Sequence, residues 1–137
     1  MPILIYTVAK FLAYSAWCYV GLRTVRQAPA SIATSVRLGA ARWLIGLFFG
    51  IGVFFAVGPI DGDAAARMYF LVYSPIRAIE WGIMAVLIAR RAPRTSISNP
   101  MLRLSVWCVG GMLVSFLTDL LSPEGLQGRF CVGRCLC

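Results

Sequence analysis

Four long apolar stretches alternate with short polar ones along the whole chain. The apolar stretches cover residues 3–22, 39–58, 69–89 and 102–122. Each has about the 20 residues that an α-helix needs to cross the hydrocarbon core of a bilayer. The pattern therefore predicts an all-α integral membrane protein. Residues 1–123 would form a four-transmembrane-helix bundle, followed by a tail at 124–137 that contains Cys and Gly.

The first apolar stretch differs from a cleaved signal peptide in two respects. No basic region precedes it, and Lys10 interrupts what would be the hydrophobic region of the signal. We therefore expect this stretch to be retained as the first helix of the bundle.

Composition agrees with the membrane class and narrows the chemistry. Of the 137 residues, 60% are hydrophobic and 13% are charged, which is more apolar surface than a soluble domain of this size could bury. The net charge of +8 reflects membrane topology and anionic lipid headgroups more readily than a nucleic-acid partner, which we do not expect. The chain contains no His, which excludes His-ligated metal and imidazole acid–base chemistry. We expect neither a cofactor nor a metal.

The basic residues between the apolar stretches are concentrated in two connections. Residues 23–42 and 90–103 hold eight Arg and no acid: Arg23, Arg26, Arg37, Arg42, Arg90, Arg91, Arg94 and Arg103. The positive-inside rule places both connections in the cytoplasm, beside anionic headgroups, and both chain termini outside. Twelve of the thirteen basic residues are Arg, which indicates a GC-rich bacterial genome and hence a bacterial inner (plasma) membrane.

The two halves of the chain align without a gap at an offset of 64 residues. At this offset the four tryptophans form two pairs, Trp17 with Trp81 and Trp43 with Trp107. Apolar segments of similar length always align somewhere, but pairing every Trp at one offset favours a duplicated two-helix hairpin. Repeat 1 would cover about residues 3–59 and repeat 2 about 67–123.

Charged residues inside the apolar stretches form the candidate site. Arg77 and Glu80 are three residues apart, so on a helix they share one face with Tyr73 and can pair. Lys10 and Asp119 lie toward the outer ends of the first and fourth helices, where Lys10 can extend to meet the carboxylate. We interpret the four charges as two neutral pairs that set helix register, with an ion or proton path as the alternative.

Small residues and cysteines are further candidates for contacts between helices. Gly46 and Gly50 form a GxxxG pattern that permits close approach of two helices, and Gly110-Gly111 lies within the fourth helix. The tail has the pattern C-x3-C-x-C, made of Cys131, Cys135 and Cys137. If the tail lies outside the cell, two of these thiols could form a disulfide, and one would stay free or pair between chains.

Two functions agree with these observations. The first is a small self-associating inner-membrane protein that acts as a non-enzymatic accessory or scaffold subunit, either as a homo-oligomer or within a larger membrane complex. The second is a small oligomeric channel or transporter whose path passes the Arg77–Glu80 pair. An enzyme is not expected, because the sequence holds no phosphate-binding loop, nucleophile elbow or metal motif.

The predicted topology can be tested by labelling cysteines in intact cells. A thiol reagent that cannot cross the membrane should label the tail cysteines, once reduced, and should leave Cys18 unlabelled. Periplasmic activity from a reporter fused at Arg94 would contradict this topology.

Overall fold

The chain folds into four helices, each antiparallel to the next. The computed structural model describes residues 2–26, 30–58, 65–90 and 100–122. The helices are α1 (Pro2–Arg26), α2 (Ile32–Val57), α3 (Ala65–Ala89) and α4 (Pro100–Leu120). Each contains a stretch of 20 to 26 residues that is long and apolar enough to cross a membrane, so the prediction of four such helices is confirmed. The tail with its three cysteines lies outside the described residues.

The helices follow one another around the bundle. α1 packs against α2 and α4, while α3 packs against α4 and less extensively against α2. α1 and α3 also contact each other across the centre. One end of the bundle, which we call the basic end, carries Arg23, Arg37, Arg90 and Arg103. It is the end where α1 and α3 finish and where α2 and α4 begin.

α2 approaches α1 closely at Gly39. Gly39 is buried, and a Cβ added to it would lie 2.8 Å from the backbone Cα of Ser15. Only glycine leaves room for two helix backbones at this separation. Accordingly, α1 and α2 form the most extensive helix pair in the described part of the chain.

Apolar side chains form two clusters at different levels of the bundle. The larger one lies toward the basic end and includes Cys18, Leu38, Trp81 and Ile88. The smaller one lies toward the opposite end and contains Val53, Tyr69 and Tyr73. Charged side chains contact both clusters: Arg42 lies against Trp81 of the larger one, and Asp119 accepts a hydrogen bond from Tyr69 of the smaller one.

Two tryptophans join α1 to α4 by a reciprocal contact. The indole N–H of Trp17 donates to the backbone carbonyl of Trp107 at 3.1 Å, and Trp107 donates to the carbonyl of Trp17 at 3.1 Å. Each ring occupies space that a glycine leaves open on the facing helix, Gly110 for Trp17 and Gly21 for Trp107. The buried indoles therefore satisfy their N–H groups across the interface.

The glycines and tryptophans identified in the sequence are divided between the core and its edge. Gly111 seats the ring of Trp81, which is fully buried, while Trp43 is half-buried against the larger apolar cluster. The two hairpins are packed unequally, because α1 and α2 contact each other more extensively than α3 and α4 do. This difference neither supports nor excludes the 64-residue duplication, which stays a prediction.

Two matched substitutions in α2 test the close approach at Gly39. Gly→Ala in a helix is intrinsically favourable by about 1 kcal/mol, whereas overpacking a core costs about 1–3 kcal/mol. Gly39→Ala should lower the thermal midpoint of the purified protein in detergent. Gly52→Ala should leave it unchanged or raise it, because nothing lies within 4 Å of a Cβ added there. Equal midpoints for the two variants would contradict this packing.

Candidate functional site

Five charged side chains meet inside the bundle, and we call them the charge network. They are Lys10 from α1, Arg42 from α2, Arg77 and Glu80 from α3, and Asp119 from α4. None of the five is more than 8% exposed. Every helix of the bundle thus contributes at least one charge to a single connected set of ion pairs.

Glu80 joins α2 to α3. Its Oε2 accepts a hydrogen bond from Arg42 Nη2 at 2.6 Å and another from Arg77 Nη1 at 2.9 Å. The second pair has the i,i+3 spacing expected from the sequence, and the structure brings these two residues together. The first pair links helices across the core, where an ion pair is screened little by solvent.

Asp119 joins α4 to α1 and α3. Its Oδ1 accepts from the Lys10 ammonium and from the Tyr6 hydroxyl, and its Oδ2 accepts from Arg77 Nη2 at 2.8 Å and from the Tyr69 hydroxyl. The expected contact between Lys10 and Asp119 is therefore present. Because one guanidinium serves both carboxylates, the expected two separate pairs are one continuous network.

Arg42 corrects the sequence analysis. The sequence analysis counted it with the basic connection at residues 23–42, which overlaps the apolar stretch at 39–58, but α2 begins at Ile32, so Arg42 lies almost three turns inside the helix. Its side chain is fully buried, with its guanidinium 4.7 Å from the ring centre of Tyr14 and 5.0 Å from that of Trp81. It also donates to Ser115 Oγ at 3.3 Å. The first basic connection is accordingly shorter than predicted.

The helical spacing of residues 35–42 could have predicted the inward position of Arg42 from the sequence. Ser35, Leu38, Gly39, Arg42 and Val53 are the buried residues of α2. The first four follow the i, i+3, i+4, i+7 pattern of a single helix face. Hydropathy alone assigned the Arg to a loop because it precedes the most apolar part of the helix, whereas periodicity places it on the inward face.

Gly46 faces this network within its own chain. A Cβ added to it would lie 3.0 Å from Arg42 Nη1, 3.7 Å from Glu80 Oε1 and 3.8 Å from Arg77 Nη1. Gly46, the first residue of the GxxxG pattern, therefore lies beside the charge network inside the bundle. Its partner in that pattern, Gly50, is half-buried.

The network carries one net positive charge and several polar atoms that lack a hydrogen bond. Three cations face two carboxylates among the described residues. Within the same residues, Nε and Nη1 of Arg42, Nε of Arg77 and Oε1 of Glu80 have no hydrogen-bond partner. Such atoms are costly to bury. The unpartnered Arg42 Nη1 and Glu80 Oε1 both lie beside Gly46.

The remaining candidates line the network or the clusters around it. Tyr73 is buried, and its ring lies 5.6 Å from the Arg77 guanidinium. Cys18 is buried in the larger apolar cluster, and Cys108 is a half-buried thiol that donates to the Trp81 carbonyl at 3.5 Å. The described residues contain no group of three His, Cys, Asp or Glu that could hold a metal ion.

Comparisons of the chain with protein-family models, with curated proteins and with solved structures find no match.

The shared role of Glu80 predicts which second substitution compensates for its loss. Glu80→Leu removes the only carboxylate that contacts Arg42 among the described residues, whereas Arg77 keeps its contact with Asp119. Leaving a buried charge unpaired costs about 3–5 kcal/mol in soluble proteins. Glu80→Leu should therefore lower the folded yield and thermal midpoint. Adding Arg42→Met should recover most of the loss.

The matched control combines Glu80→Leu with Arg77→Met. This variant also loses one carboxylate and one guanidinium, but it leaves Arg42 without a carboxylate. Its thermal midpoint in detergent should therefore stay low. If Arg77→Met compensated as well as Arg42→Met, the assignment of Arg42 as the dependent partner of Glu80 would be wrong.

Proposed function

We propose that the chain is an integral protein of a bacterial inner membrane and acts as a non-enzymatic accessory or scaffold subunit. The observation that carries the proposal is the charge network, to which all four helices contribute and whose five members are all buried. Its members pair with one another at the centre of the bundle instead of presenting charge to a surface. Such an arrangement holds helices in one order and one register.

The membrane location is supported by the outer surface of the bundle. Large apolar side chains cover it, and α2 is an extreme case, with Phe48 75% exposed and Phe55 80% exposed. In water such a surface would aggregate, whereas lipid tails solvate it. The basic end carries exposed Arg side chains, which supports its placement on the cytoplasmic side, with both termini outside.

Assembly with other subunits is part of the same proposal. α2 has the smallest buried share of the four helices, so most of its apolar surface is open to another copy or to a larger membrane complex. We also infer that the bundle arose by duplication of a two-helix hairpin. The support for duplication is the pairing of all four tryptophans at one offset of 64 residues.

A second candidate function is transport of a small ion through an oligomer. It is favoured by the net positive charge of the network and by the unpartnered atoms of Arg42 and Glu80 beside Gly46. Charged side chains within a membrane often mark an ion or proton path. The mutual pairing of the five charges gives the structural role more support.

Ion flux in reconstituted liposomes tests the proposal. Liposomes that contain the purified protein should release protons, potassium and chloride no faster than protein-free liposomes. The variant that combines Arg42→Met with Glu80→Leu should form the same oligomer in detergent, measured by light scattering. Flux in wild-type liposomes that disappears with this variant would overturn the scaffold role in favour of transport.

A further inference from the structure

A groove between α1 and α4 opens at the basic end of the bundle. This open groove has a volume of about 560 Å³, within the rough range of 300–1,000 Å³ that small-molecule sites occupy. Its walls are mostly apolar and include Val20 from α1 and Leu102 and Val106 from α4. The reciprocal pair Trp17 and Trp107 also lines it. These rings are held by their own hydrogen bonds, so the groove has a fixed wall on both helices.

Two arginines line the same groove, one from each helix. Arg23 lies at the end of α1, where its guanidinium is 5.3 Å from the ring centre of Tyr19. Arg103 lies in the first turn of α4, and its Nη1 donates to the carbonyl of Thr24 at 3.4 Å. Each guanidinium has five N–H donors in a planar fork that matches two oxygens of a phosphate. Two such groups at one opening favour a phosphate over a single carboxylate.

No carboxylate among the described residues balances these two arginines. The described carboxylates are Glu80 and Asp119, and both are enclosed in the charge network with cations of their own. The groove therefore combines an apolar wall along its length with an uncompensated positive charge at the basic end. A soluble anion would leave the apolar wall uncovered, and an apolar helix of a second copy would leave both arginines unpaired.

We propose that this groove binds one anionic glycerophospholipid. Its phosphate would contact Arg23 and Arg103, and one acyl chain would lie along Val20 and Val106 toward the centre of the bundle. The inference depends on the membrane location proposed above. It goes further by assigning a defined site and a headgroup charge, because general attraction of basic loops to anionic lipid would not require a groove.

Quenching of tryptophan fluorescence by brominated lipid tests the site, because Trp17 and Trp107 line the groove. The purified protein is reconstituted in phosphatidylcholine vesicles in which a fraction of the lipid is replaced by phosphatidylglycerol with brominated acyl chains. A parallel series uses brominated phosphatidylcholine. Wild-type protein should be quenched more strongly by the anionic lipid than by the zwitterionic lipid at equal mole fraction.

Matched variants assign the excess quenching to the groove. Arg23→Gln with Arg103→Gln should lower the ratio of the two lipid-binding constants about 30-fold, since it removes two direct contacts to the phosphate, each of which contributes on the order of 1 kcal/mol. Arg37→Gln with Arg90→Gln removes the same charge from the same end without touching the groove, and should keep most of the excess. An equal loss in both variants would overturn the site.

The remaining outcomes separate failure of this site from failure of the membrane location. If brominated phosphatidylcholine quenches but phosphatidylglycerol adds nothing, the membrane location holds and the lipid site is wrong. If neither lipid quenches, the protein is not in the bilayer, and both proposals fail. If inorganic phosphate reverses the excess quenching, the groove binds a soluble anion and the lipid assignment is overturned.

Discussion

The fold depends on one shared carboxylate inside an apolar bundle. Glu80 Oε2 accepts from Arg42 on α2 and from Arg77 on its own helix, and Arg77 continues the chain of ion pairs to Asp119. Charges withdrawn from water need partners at close range, because each unpaired one costs several kcal/mol. A shift of any helix by one turn would break at least one of these contacts. The network therefore determines the relative height of the four helices more strictly than the apolar side chains around it.

Glycines provide the space in which the charged side chains of the network can meet. α2 can bring Arg42 to the centre of the bundle because Gly39 allows its backbone to approach Ser15, and because Gly46 leaves space beside the guanidinium. On the other side, Gly110 and Gly111 give up their side-chain volume to the rings of Trp17 and Trp81. Small residues on one helix thus determine where large or charged residues of its neighbour can lie.

The sequence predicted the four helices and two of the ion pairs, but it did not predict the other contacts between helices. Apolar length alone located all four helices, and charge with helical spacing correctly joined Arg77 to Glu80 and Lys10 to Asp119. The inward position of Arg42 was missed because an Arg at the border of an apolar stretch and a basic connection was counted with the connection, whereas helical periodicity places it on the inward face. The contact between Trp17 and Trp107 was missed because a repeat offset pairs equivalent residues, whereas packing of α1 on α4 joins non-equivalent ones.

A core of paired charges is not the most stable core that this bundle could have. Replacing buried ion pairs by apolar residues of similar size is often neutral or stabilising. In lipid, however, an apolar face packs as well against acyl chains as against another helix, so apolar surface alone specifies helix order poorly. Three cations and two carboxylates distributed over four helices remove that ambiguity, because a wrong neighbour leaves a charge in hydrocarbon. On this argument the network serves to specify one arrangement of the four helices, which agrees with the proposed scaffold role.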